Sequence, residues 1–348
     1  MDERLLLSLK KNGQPSEKNL KFDKLCTREL KGAAIMFVIL GHMSIDKHIY
    51  IASNMVYAGA WGVTLFLILS GFGITKSYLN NGINLSKLFG RIKSILIPYS
   101  VVTLAWILID SLYLEKSYSA KTILLALLGI DVKRSIDASM WYISIILFWY
   151  IIFYFAFRLP IKNSVKVLLL FCFSYVINKG YFNTLLIDLS YNWQLSAFSF
   201  PIGVSLALYS RKIKNCFKEV NLDILLAIMA VFFFIIFNIL IKHNSISIKY
   251  YILSNTSLSF FFIILIALLR KYNITSTFIE FIGSISYEMY LFEGVFMWKY
   301  SLLRIFHNKL ISLILYFSVL ILVSFIYNKV SKIIEFPRET ARNANLNI

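Results

Sequence analysis

From Ile224 to Ile241 the chain places a single polar side chain, Asn238, among eighteen residues. As a helix that run rises about 27 Å, close to the roughly 30 Å hydrocarbon layer of a bilayer. Comparable apolar runs occupy 30–49, 58–75, 94–112, 139–157, 163–178, 193–209, 222–241, 251–269, 276–298 and 310–328. The expected fold is therefore an all-α polytopic membrane protein of about ten transmembrane helices. Composition agrees: 58% hydrophobic residues, 16% charged residues and a mean hydropathy of +0.70 exclude a soluble globule. The fifth run is short and holds Lys166, which must snorkel to an interface. Residues 122–130 are too short to cross and are expected as a surface or re-entrant piece of an outer loop.

The net charge of +18 does not point to nucleic acid, because the basic residues lie in short clusters between apolar runs rather than in one stripe. Of the 36 lysines and arginines, 25 fall on the side of the N-terminus and 11 on the other, which places both termini in the cytoplasm. Residues 1–29 then form a basic cytoplasmic tail, 30–334 a single transmembrane domain and 335–348 a second cytoplasmic tail. The apolar patch around Leu5 is too short for a signal-peptide core. Cys26, Cys172 and Cys216 are scattered, so neither a disulfide nor a metal site is expected.

The first span carries Lys31 near its start and His42 deep inside it. Eleven helical residues return to within about 20° of the same face and rise about 17 Å, so the two share a face, with Asp46 one turn beyond. An ionisable residue at that depth is a functional candidate, although a histidine that only bonds a neighbouring helix fits equally. In the second span Gly59, Gly62, Phe66, Ser70 and Gly73 line one face. Small residues there permit close helix packing, or room for a thin substrate arm beside His42. Arg91 and Lys93 precede Pro98-Tyr99, and the planar fork of Arg91 suits a phosphate. Trp141, Trp193 and Trp298 read as interfacial anchors. The ninth span holds both Glu288 and Glu293, too costly to face lipid, so each needs a cavity or an ion-pair partner such as Lys31. Tyr290 shares the face of Glu293, whereas Asp110 lies at a span end where solvation is the ordinary reading.

This order of motifs resembles the acyltransferase-3 family of integral-membrane O-acyltransferases. The resemblance lies in Lys31 to His42, Leu65-Phe66-Leu67-Ile68-Leu69-Ser70-Gly71-Phe72, Arg91 to Pro98-Tyr99, Trp141-Tyr142 and Ser286-Tyr287-Glu288-Met289-Tyr290-Leu291. Residues 160–275 match only in hydropathy. Where the family often has histidine, this chain has Glu293. The resemblance implies transfer of an acyl group, usually acetyl, from cytosolic acyl-coenzyme A to a hydroxyl of a cell-surface or lipid-linked glycan, in the plasma (inner) membrane. Coenzyme A is then a donor substrate, and no permanently bound cofactor, metal or nucleic acid is implied. Lys31, Arg91 and Lys93 are the candidates for coenzyme A, and His42 for the general base or acyl carrier, oriented by Asp46 or aided by Glu293. Ser70, Trp141, Tyr287 and Tyr290 are the candidates for substrate contact.

Two rivals remain at this level: a transporter or lipid-linked-sugar flippase in which Lys31, His42 and Glu293 relay protons, and a non-catalytic subunit of a glycan-assembly complex. No inverted repeat favours the transporter. The charge distribution makes one direct prediction: a reporter fused at residue 340 is cytoplasmic, and an external reporter there contradicts the expected topology.

Overall fold

The computed structural model describes residues 23–45, 53–131, 136–137, 140–181, 190–216, 221–243 and 247–335. Among them the chain is helical throughout, without strands. In order, the helices are α1 (Lys24–Ile45), α2 (Ala58–Asn81), α3 (Leu85–Tyr113), α4 (Ala120–Leu127) and α5 (Trp141–Arg158). They continue with α6 (Asn163–Asn178), α7 (Ser190–Ser196), α8 (Ser199–Cys216), α9 (Leu222–Ile241) and α10 (Ile248–Lys271). The last are α11 (Thr277–Ser284), α12 (Ser286–Gly294) and α13 (Lys309–Glu335), with a π turn at Val295–Lys299.

Among the described residues six helices are long and apolar enough to cross a membrane: Met55–Asn81, Leu85–Tyr113, Trp141–Arg158, Asp223–Ile241, Ile248–Lys271 and Lys309–Lys332. The other four expected spans are helical but differ from plain apolar rods. The first carries Lys24, Arg28, Glu29 and Lys31 in α1, and the fifth, α6, is only 16 residues long. The sixth is broken between α7 and α8, and the ninth between α11 and α12. The second break has a local cause: Ser284 and Ser286 bond back to the carbonyls of Phe281 and Gly283, competing with the helix ladder at Ile285.

α1 lies against several neighbours at once, and glycines let it do so. A Cβ on Gly41 would lie 2.2 Å from the backbone nitrogen of Gly59, and one on Gly62 would lie 2.3 Å from the Ala34 carbonyl oxygen. At its start, Gly32 and Gly283 bring α1 and α11 equally close, at the Ile279 and Arg28 carbonyls. The stripe of small residues on α2 thus divides: Gly62 serves packing, Gly59 meets α1 at Gly41 and also borders one cavity, and Ser70 and Gly73 border another. Glu29 clamps the same end, accepting from Arg270 of α10 at 2.8 Å and from the Ser276 amide at 2.9 Å.

Pro98 interrupts the hydrogen-bond ladder of α3. Two tyrosines donate to carbonyls beside it: Tyr287 to Ile95 at 2.6 Å and Tyr327 to Pro98 at 2.8 Å. Residues 122–130 hold the end of the short helix α4 and a turn packed on α3 and α5. Gly129, in the left-handed region (φ 69°), brings the loop tip beside Leu96, midway along α3, and the Ser100 and Ser144 hydroxyls donate to the Leu127 and Gly129 carbonyls.

Candidate active site

Four residues of α1 descend one face in sequence: Thr27, Lys31, Val38 and His42. The first three line a cavity of about 330 Å³, and Val38 with His42 lines a second of about 310 Å³. Across the eleven residues from Thr27 to Val38 the first cavity extends about 17 Å along the helix. Its Lys31 end carries two cations, Lys31 and Arg91. Lys31 makes no hydrogen bond or ion pair among the described residues, and Arg91 makes one long bond to the Gly73 carbonyl at 3.5 Å. Deeper in, the lining is hydroxylic, with Ser70, Tyr142, Tyr150, Tyr287 and Tyr290. Ser70 and Tyr150 share a hydrogen bond of 2.9 Å, and Tyr142 meets Tyr290 edge to face at 5.4 Å.

The second cavity holds the sharpest arrangement in the molecule. His42 Nδ1 lies 2.8 and 2.9 Å from the two carboxylate oxygens of Glu293, which is 0% exposed. An ionised carboxylate only accepts, so this contact fixes the ring proton on Nδ1 and leaves Nε2 as the free nitrogen. Nε2 has no hydrogen-bond partner among the described residues. A Cβ built on Gly59 would come 4.0 Å from Nε2, so the glycine leaves the ring unobstructed on that side. The ring of Trp298 lies 4.6 Å from the imidazole, and Trp141, Asn192, Ser196 and Tyr251 complete the polar and aromatic wall.

The π turn at Val295–Lys299 carries Trp298 there, and Lys299 anchors the turn by an ion pair to Asp110. Tyr118 donates to the same carboxylate at 2.5 Å, and burial together with this bond raises its phenol above the usual range.

The arrangement brings together His42, Glu293, Lys31, Arg91, Ser70, Trp141, Tyr287 and Tyr290 of the sequence candidates. Asp46 lies outside the described residues. Lys93 is exposed and lines neither cavity, since two residues along a helix from Arg91 turn it about 200° away. Glu288 is held by Asn328, whose amide donates to it at 2.7 Å. Trp193 is buried against Phe148 and so is not an exposed interfacial anchor, whereas Trp298 is 39% exposed and also covers the His42 ring. Asp110 is not solvated but 0% exposed: its Oδ2 takes both Lys299 and Tyr118, whereas its buried Oδ1 has no hydrogen-bond partner among the described residues. Sequence reasoning missed Asn192, Ser196 and Tyr251, which lie in the stretch where only hydropathy gives a signal; it gave Tyr150 no role and took Tyr142 only as part of the Trp141-Tyr142 motif.

A family model described as an acyltransferase domain, that of the acyltransferase-3 family, matches residues 30–329. The chain belongs to this family. No curated protein and no solved structure matches it. This acyltransferase is thus a multi-pass membrane protein whose family match spans the helices that build both cavities.

The buried pair makes a testable demand on stability. Removing the hydrogen-bond donor of a fully buried carboxylate costs about 3–5 kcal/mol because that charge is stranded. His42→Ala should lose that much in detergent unfolding, and adding Glu293→Gln should restore part of it. Equal losses in the single and double variants would contradict the coupling.

Proposed function

We propose that this acyltransferase moves an acetyl group from acetyl-coenzyme A, docked at the Lys31 end, to a sugar hydroxyl presented at the His42 cavity. What carries the reading is the meeting of two cavities, one with a cationic mouth and one containing the His42–Glu293 pair. Coenzyme A is a polyanion, and Lys31 and Arg91 supply charge without a salt bridge among the described residues, with only the Glu288 carboxylate acting on Lys31 from a distance. Its pantetheine arm is narrow and polar, matching the hydroxylic lining that leads inward past Ser70 and Tyr150. The acceptor is a hydroxyl on a cell-surface or lipid-linked glycan, for which Trp141 and Trp298 offer flat apolar faces and Asn192 an amide.

In the step itself, the sugar oxygen attacks the thioester carbonyl carbon while its proton passes to His42 Nε2. Collapse of the tetrahedral intermediate breaks the carbon–sulfur bond, and the thiolate leaves with the proton that the imidazole took. Glu293 keeps the proton on Nδ1, orients the ring and stabilises the imidazolium that forms transiently. It thereby fills the orienting role expected of Asp46. The positive-inside distribution puts Lys31, Arg91 and both termini in the cytoplasm, where coenzyme A is found, in a plasma-membrane protein of ten spans. Domain limits of 30–334 follow from the same spans. The transporter reading gains no support from a His42 whose Nδ1 is committed to Glu293 at one fixed geometry.

The test is purified protein in liposomes with labelled acetyl-coenzyme A and a panel of glycans. Label enters glycan with the wild type. His42→Gln keeps an amide donor for Glu293 but accepts no proton at neutral pH, and it lowers the rate about 10²–10⁴-fold. Near-normal transfer by His42→Gln overturns the assignment. In the same preparation Arg91→Ala weakens coenzyme A binding by about 1.5–3 kcal/mol, and Lys93→Ala does not.

A further inference from the structure

The two cavities share a wall. Val38 of α1, Val63 of α2 and Tyr290 of α12 line both of them. His42 lines only the second, so an acyl group held in the first reaches Nε2 past these three side chains. Val38 and Val63 are 2% and 6% exposed, and apart from Tyr290 the partition they form between the two cavities is apolar, whereas the first cavity mixes hydroxyls with apolar side chains. That is the profile of an acyl thioester laid lengthwise, with a polar arm and a short hydrocarbon tip.

The partition is stiff for local reasons. Valine is β-branched and holds essentially one χ1 rotamer in a helix. The α2 backbone also presses on Val38: a Cβ at Gly62 would lie 2.7 Å from Val38 Cγ2 and 2.3 Å from the Ala34 carbonyl oxygen. One turn further on Gly41 lets the two backbones meet at Gly59, so spreading the helices at the valines would break that packing. A neck of two locked valines between closely packed helices sorts by length, since each extra methylene must displace a methyl group that has nowhere to go.

Building on the transfer reading above, we infer that Val38 and Val63 set the length of the acyl chain, admitting acetyl and excluding longer chains from His42. The step is unchanged: sugar oxygen to carbonyl carbon, proton to Nε2 and on to the departing thiolate. The valines act by position and touch only the acyl tip.

The experiment uses the full chain in liposomes with acetyl-, propionyl- and butyryl-coenzyme A and an acceptor glycan. The wild type should discriminate about tenfold or more against each added methylene. Val38→Ala and Val63→Ala should each raise the butyryl-to-acetyl ratio of kcat/KM by about tenfold, and Val63→Ile should lower the propionyl-to-acetyl ratio. Val204→Ala, the same truncation at a buried valine of α8 outside both cavities, controls for loosened packing and leaves both ratios alone. Because Val63→Ile adds rather than removes bulk, a poorly folded alanine variant does not end the test. Ratios that stay flat in Val38→Ala, Val63→Ala and Val63→Ile while the wild type transfers acetyl overturn this inference alone. A shift of the same size in Val204→Ala overturns it too. No transfer by the wild type from any donor overturns the underlying transfer reading and this inference with it.

Discussion

A carboxylate with no exposed surface, Glu293, is held by the imidazole of His42. Burying such a charge costs several kcal/mol unless a partner with good geometry offsets it, so the chain must deliver the imidazole to that point and hold it there. The two residues lie 251 positions apart, which makes the first helix and the last polar helix obligatory neighbours. Much of the surrounding architecture follows from that obligation. Gly32 and Gly283 let α1 and α11 touch at one level, and Gly41 and Gly59 let α1 and α2 touch at another. With α1 fixed at both levels, the positions of Lys31, Val38 and His42 along its face are fixed as well.

The same pair explains why irregular backbone gathers near it. α12 begins at a break after Gly283 and ends in a π turn, two departures from a plain helix within fifteen residues. Each has a use: the break lets α11 follow the start of α1, and the π turn carries Trp298 onto the imidazole while Lys299 reaches Asp110. Strain of this kind persists where surrounding contacts hold it, and here a buried ion pair and a tyrosine hydroxyl do so.

How much of this was legible in the sequence depended on whether a feature was local. The shared face of Lys31 and His42 follows from helical periodicity over eleven residues, and the structure places both on the line of cavities. Two glutamates in an apolar span announced that one would need a partner, but which partner was a question of tertiary contact, answered by His42 for Glu293 and by Asn328 for Glu288. Asp110 was misread because a span-end aspartate is ordinarily solvated; here Lys299 and Tyr118 hold it inside. Arg91 and Lys93 look equivalent in composition, and only the helical phase separates them. Asn192, Ser196 and Tyr251 carried no pattern at all, since a cavity wall assembled from α7 and α10 leaves no spacing to detect.

The central claim is that donor and acceptor approach His42 from opposite sides of one membrane-embedded neck. Proteoliposomes with a single known orientation test it most directly, with labelled acetyl-coenzyme A confined to the side bearing Lys31 and glycan confined to the other. The account predicts labelled glycan on the far side and none when donor and acceptor compartments are exchanged. Transfer only when both substrates share one compartment would contradict it.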